Sequence, residues 1–173
     1  MSESNHWMFE NKTDFSVLKE LNTDWQVNFD PEWGGPPALT FNELQDWSKN
    51  ADPKIKFYSG KAIYRKKFDL SSALAKTKQI FLDLGVVNDI ASVKLNGKDF
   101  GILWTTPWML EVSKYLKPTD NLLEIEVINQ WPNRLIGDVG LPKEKRVTNT
   151  NIVFKKDSPL LPSGLLGPVT LKL

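Results

Sequence analysis

Short apolar alternations of period two, repeated along most of the chain, restrict its possible folds more than any other feature. Trp25, Val27 and Phe29 alternate with polar residues, as do Ile80, Leu82 and Leu84 further on. The same holds for Ala91, Val93 and Leu95, for Trp108, Leu110 and Val112, and for Leu123, Ile125 and Val127. Ala62, Tyr64, Phe68 and Leu70 share one face of residues 61–70, interrupted by Lys66, and Val169, Leu171 and Leu173 close the chain. In an extended segment each set lies on one face, the signature of a half-buried strand. Turn chemistry separates the sets. Asn96-Gly97 predicts a type I′ hairpin returning through Phe100 and Ile102, because both turn residues tolerate positive φ. Residues 117–121 and the Gly34-Gly35-Pro36-Pro37 loop after Asp30-Pro31 punctuate in the same way.

Little reads as helix. Thr40-Phe41-Asn42-Glu43 has capping-box form and predicts a short helix with Leu44 and Trp47 on one face, ended by Asp52-Pro53. Residues 71–78 read as a connector of at most one helical turn, and Trp131 to about Gly167 as irregular. Roughly seven to nine strands with evenly spaced turns and one or two short helices define an all-β sandwich or jelly roll. At 173 residues the chain fits one domain. Residues 1–23 read as an N-terminal extension and 24–173 as the sandwich.

Several chemistries lack their residues. There is no cysteine and one histidine, His6, so disulfides, thiolate or histidine zinc sites and a cysteine nucleophile are excluded. A Ser-His-Asp triad would rest on a histidine in the terminal extension. No phosphate-binding glycine loop occurs. With 22 basic against 21 acidic residues, nothing calls for a nucleic-acid partner. No apolar run approaches the roughly 20 residues of a membrane helix. The first twelve residues lack the charged and apolar regions of a secretory signal, which leaves a cytoplasmic protein or a piece separated from its signal. Asp83, Asp89 and Asp138 are candidates for the carboxylate pair of a small glycosidase; the simpler reading makes them turn or salt-bridge residues.

One run, residues 80–138, carries the strongest signal. A strand ending Asp83-Leu84-Gly85 precedes one ending Leu95-Asn96-Gly97. Then follow Gly101-Ile102-Leu103-Trp104, Pro107-Trp108, and a strand from Asn121 to Asn129 leading into Gln130-Trp131. This order resembles the sugar-binding domain of family 2 glycoside hydrolases, whose fold is a galactose-binding-like β-sandwich. Residues 131–138 and 163–169, with Trp33–Pro36 and Tyr58–Tyr64, are similar to the C-terminal sandwich of large bacterial enzymes such as the family 106 α-L-rhamnosidases. The resemblance covers about residues 24–173. It implies an accessory domain of an exported parent hydrolase, periplasmic or extracellular, with catalysis placed elsewhere.

On that reading the partner is a saccharide or the parent's catalytic domain. Trp104 and Trp131 are candidate stacking platforms for a sugar ring, Trp104 beside a loop and Trp131 held extended by Pro132. Trp108, in phase with Leu110 and Val112, belongs to the core. Asn133, Arg134 and Asp138 are candidate partners of sugar hydroxyls; alternatively Arg134 and Asp138 pair to pin their own loop. Gly137 and Gly140 read as turn residues. No cofactor is implied. A structural calcium ion, frequent in galactose-binding-like sandwiches, would need about six to eight oxygen ligands, and no compact Asp/Asn-rich loop supplies them. A protein-interaction sandwich is the remaining alternative.

Overall fold

In the computed structural model, residues 15–70 and 79–173 are described. The connector expected at 71–78, His6 and most of the N-terminal extension lie outside them. A six-stranded antiparallel sheet contains β2 (Thr23–Phe29), β3 (Leu39–Glu43), β4 (Lys61–Phe68), β7 (Ile90–Leu95), β8 (Lys98–Leu103) and β10 (Asn121–Ile128). Its spatial order is β3-β2-β4-β10-β7-β8. A four-stranded sheet contains β1 (Val17–Glu20), β5 (Phe81–Asp83), β9 (Met109–Glu111) and β12 (Thr170–Lys172), in the order β1-β12-β5-β9. A small sheet pairs β6 (Val86–Asn88) with β11 (Gly164–Gly167). Two short α-helices, α1 (Pro53–Lys56) and α2 (Pro132–Asp138), and several single 3₁₀ turns lie in the connections.

The alternations read from the sequence build the core. Trp25, Val27, Tyr64, Val93, Ile125 and Val127 on the inner face of the large sheet are fully buried, and meet Leu82, Leu110, Leu165 and Leu171 from the other two. The hairpin turn falls at Asn96 and Gly97, with φ 53° and 84°.

Three local expectations are corrected. Residues 39–43 form a strand, with Phe41 opposite Trp25. The Thr40 hydroxyl accepts from Gln26 Nε2 across the strands at 2.8 Å instead of capping a helix. The cap lies later, where Asp46 Oδ1 accepts from the Ser48 amide at 2.9 Å and opens a single 3₁₀ turn at Trp47–Lys49. Asp52 likewise starts a helix, capping α1 through the Lys54 amide. Finally, β1 pairs with β12, so the sandwich takes up residues read as extension, before position 24.

One contact ties the layers together. Trp47 Nε1 donates to the Tyr64 hydroxyl at 2.6 Å, and the Leu165 amide donates to the same oxygen at 3.3 Å. Gly164, at φ 97°, lies flat against the indole: an added Cβ would stand 2.5 Å from Trp47 Nε1. Gly164→Ala therefore combines a left-handed backbone penalty with overpacking and is expected to cost about 2–4 kcal/mol in urea unfolding. Gly97→Ala, where a Cβ meets nothing within 4 Å, is expected to cost only about 1–2 kcal/mol. Equal losses would show that the Trp47 contact contributes nothing.

Burial also pushes the Tyr58 hydroxyl up to about 12 and the Tyr64 hydroxyl further in the same direction, although hydrogen bonds to each oppose the shift. A raised acid pKa favours the neutral form in the folded state. The stabilisation is therefore whole below pH 10 and is lost as pH climbs from 10 through about 12. Absorbance at 295 nm alongside far-UV circular dichroism should show these two tyrosines ionising only as the fold is lost. Ionisation of more than one of the three tyrosines in folded protein at pH 10.5 would contradict this.

Candidate functional site

The loops at the end of the sandwich where β6, β10 and β11 meet enclose a cavity of about 150 Å³. It is lined by Asn88, Asp89, Gln130, Asn133, Leu161 and Ser163, among others. β10 delivers Asn129 and Gln130 to it, β6 delivers Asn88, and the chain entering β11 delivers Leu161 to Ser163. Asn129 is spent on the scaffold: it donates to Tyr58 O at 2.9 Å and accepts from the Gly60 amide at 2.9 Å. Asn133 is likewise spent, donating to Leu161 O at 2.7 Å and accepting from the Leu161 amide at 2.8 Å. The side chains of Asn88, Asp89 and Gln130 form no hydrogen bond or ion pair with other described residues, so the polar capacity of the cavity is theirs.

Trp131 follows the cavity residue Gln130 in the chain and is 43% exposed, edge-on to the exposed Trp33 with ring centroids 5.0 Å apart. Its backbone is helical, at φ −73° and ψ −24°, not extended. The Trp131 carbonyl accepts from the Arg134 and Leu135 amides at 3.0 and 3.1 Å, and these bonds outweigh the steric preference before proline. Residues 132–138, expected as irregular, thus form α2. Gly137 is a packing position within it, because a Cβ there would lie 2.6 Å from Phe57 Cβ; Gly140, at φ 81°, does turn the chain.

Three expected sugar contacts point inward. Asn133, Arg134 and Asp138 are buried, the last two 7% and 3% exposed. Arg134 Nη2 sits 3.0 Å from Asp138 Oδ1 one helical turn on. This approach is an ion pair off the hydrogen-bond line, since Oδ1 and Arg134 Nε have no hydrogen-bond partner among the described residues. Asp138 Oδ2 accepts from the Thr148 amide and hydroxyl at 2.8 and 2.6 Å. Asp138 therefore pins the 139–150 loop to α2 through Thr148, with Arg134 balancing its charge. Sequence spacing of four residues was the signal for it.

The other carboxylate candidates do not converge. Asp83 binds Lys172 Nζ at 2.6 Å and the Gly85 amide at 2.8 Å, and Asp89 has no second carboxylate in its cavity. Trp108 packs on the core, whereas Trp104 is 75% exposed beyond the end of β8. Asn88 and Gln130 were missed; neither lies in an apolar alternation or a motif that singles it out. Among the described residues no group of three or more His, Cys, Asp or Glu side chains gathers as a metal site.

Comparison with known proteins fixes the family. The glycosyl hydrolase 2 galactose-binding domain-like family matches residues 37–151, and the chain belongs to it. A Formosa agariphila protein named as a β-glucuronidase is 37% identical over 174 aligned residues, 86% of this chain but only 15% of that protein. The rhamnosidase from Novosphingobium sp. PP1Y superposes with a TM-score of 0.85 at 37% identity, covering 93% of this chain and 15% of that one. The Ruminococcus gnavus β-glucuronidase, at 22% identity and a TM-score of 0.53 over 64% of this chain, shares the fold. The chain thus corresponds to one domain within much longer glycoside hydrolases.

The buried pair yields a direct test of the inward placement. Asp138→Ala leaves Arg134 charged and unpaired and is expected to cost about 3–5 kcal/mol in chemical unfolding, while the double change Arg134→Met with Asp138→Leu costs much less. A single-variant loss below about 1 kcal/mol would show that the pair does not hold the loop.

Proposed function

We propose that the chain is a non-catalytic accessory domain of a larger glycoside hydrolase, and that its cavity-bearing loop end seats against the catalytic domain. The observation that carries this is a set of exposed apolar side chains on the segments that form that end. Val86 lies two residues before the cavity residue Asn88, Leu161 lines the cavity, and Trp131, edge-on to Trp33, directly follows the cavity residue Gln130; all four are substantially exposed. Large apolar groups gathered on one end mark an interaction surface. Aromatic residues flanked by unengaged polar groups resemble the anchors of protein interfaces. The relatives, in which the matching segment is 15% of the chain, supply such a neighbour within one polypeptide. We infer further, from the motif order in the sequence alone, that the parent enzyme acts outside the cytoplasm.

A saccharide reading of the same end rests on Trp131 together with Asn88, Asp89 and Gln130. An exposed indole offers a flat apolar face, and the free carboxylate and amides offer hydrogen bonds to hydroxyls. In this reading the sugar lies at the seam between the domains.

Exchanging this chain for the matching segment of the Novosphingobium rhamnosidase tests the docking. The hybrid is expected to keep its melting temperature and to cleave an aryl rhamnoside. Val86→Asp with Leu161→Asp should lower both by disrupting the seam, while the isolated domain carrying the same changes melts as before. A hybrid unaffected by the two aspartates sinks the docking end, and hydrolysis of aryl glycosides by the isolated chain sinks the non-catalytic assignment.

A further inference from the structure

The chain leaving α2, residues 139–160, concentrates positive charge. It carries Lys143, Lys145, Arg146, Lys155 and Lys156 against Glu144 and Asp157. The remainder of the chain has 17 basic against 19 acidic residues, so the surplus is confined to this segment. All five cations are exposed, and none forms an ion pair among the described residues.

Local bonds hold the segment in shape. Asp138 fixes Thr148, and Asn133 fixes Leu161 just beyond the segment. Between these anchors the Ile152 amide donates to the Thr150 hydroxyl at 3.1 Å. The Lys155 amide donates to the Ser158 hydroxyl and its carbonyl accepts from the Ser158 amide, both at 3.1 Å. On the other limb Arg146 Nε donates to Leu141 O at 2.9 Å. Two aliphatic residues are left outside, Ile152 at 61% and Val153 at 90% exposure. Arg146 lines the same concavity, of about 210 Å³, as Ile152, Val153 and Phe154. Lys155 and Lys156 follow Val153 by two and three residues, within roughly 11 Å along the chain. An aliphatic tip is thus set among cations that have no partner of their own.

We propose that this segment is a peripheral membrane contact, in which Ile152 and Val153 enter the boundary of an anionic phospholipid surface while Lys143, Lys145, Arg146, Lys155 and Lys156 meet its phosphates. Anionic lipid attracts clusters of about four to eight Lys and Arg residues, and buried apolar area adds to that attraction. The residue types decide against a protein partner. Protein interfaces are depleted of Lys and anchored by aromatic residues and Arg, whereas four of these five cations are Lys and the exposed tip is aliphatic. A lysine stem can lie along an apolar boundary with its ammonium in the headgroup layer, which asks for no fixed geometry from the partner. A second copy of the segment would bring like charges together. No helix among the described residues is long and apolar enough to cross a membrane, and a surface contact requires none.

The test is co-sedimentation of the whole chain with vesicles of phosphatidylglycerol and phosphatidylcholine in equal parts, and with vesicles of phosphatidylcholine alone. The chain should bind the anionic vesicles at least about tenfold more tightly and be released as salt rises from about 0.05 to 0.5 M. Ile152→Asp with Val153→Asp, and separately Lys155→Glu with Lys156→Glu, should each weaken binding about tenfold or more with unchanged circular dichroism. Trp131→Ala should leave it within about twofold. No binding to the anionic vesicles overturns the proposal. So does equal binding to both kinds, or binding that both double variants retain. Loss of melting temperature on Lys155→Glu with Lys156→Glu in the rhamnosidase hybrid, but not in the isolated domain, would assign the segment to an acidic neighbouring domain and overturn it too. Val86 and Leu161, which read the docking end, lie outside residues 139–160, so failure of either idea leaves the other standing.

Discussion

The Trp47–Tyr64 contact is the constraint on which the remaining architecture depends. Tyr64 belongs to the central strand β4 and Trp47 to a 3₁₀ turn in a long connection, and their rings lie nearly parallel at an interplanar angle of 7°. Buried phenol and indole groups need polar partners, and here each satisfies the other. The Trp47 amide then donates to Ser163 O at 2.9 Å, while Asp46 accepts from the Ser163 amide at 3.0 Å. Two connections distant in sequence are thereby locked to the same point of the large sheet. Phe29 and Tyr58 pack edge-on to the Trp47 ring and extend the lock towards the Gly35 loop.

The loop-end cavity inherits its shape from that lock. Fixing Ser163 fixes Leu161 and Pro162 before it, and Asn133 bonds Leu161 through both its donor and its acceptor. Helix α2 is held at its start by Ser59, whose hydroxyl accepts from the Arg134 amide and donates to Gln130 O. At its end the Arg134–Asp138 pair secures the following loop. Polar residues that resemble ligand contacts in sequence thus work as internal staples. Their burial leaves Asn88, Asp89 and Gln130 as the groups that can turn outward on a rigid frame.

What the sequence made legible was whatever periodicity encodes. Leu123, Ile125 and Val127 declare a strand because a core on one side demands alternation, and Asn96-Gly97 declares its hairpin because few residues accept positive φ at both positions. The short strands β6 and β11 gave no such signal: one holds three residues, the other is bounded by glycines, and their pairing depends on a distant partner. Thr40 misled because a hydroxyl three residues before a glutamate fits a cap as well as a cross-strand hydrogen bond, and only tertiary context separates the two. Ile102 shows the same limit. Counted in steps of two from Phe100 it should face the core, yet the shifted register and Gly101 turn it outward.

That single irregularity in β8 has a consequence for how the domain presents itself. An edge strand is exposed to unwanted pairing, and a bulge with a left-handed glycine is a common defence. In this sheet the same bend changes which side chains the outer face displays. Without it the alternation from Asp99 would place Ile102 and Trp104 by a different phase relative to Ser92. With it, two large apolar residues stand beside a floor of paired charges. Leaving an indole three-quarters exposed gains nothing for the fold, since its apolar surface contributes to stability only when removed from water. The core shows how this chain treats aromatic rings used structurally: Trp25 and Trp47 are wholly buried with their indole N–H groups satisfied. Trp104, like Trp33 and Trp131, departs from that pattern, and it does so beside a sheet face whose charges Arg65–Glu124 and Lys61–Glu126 pair with one another.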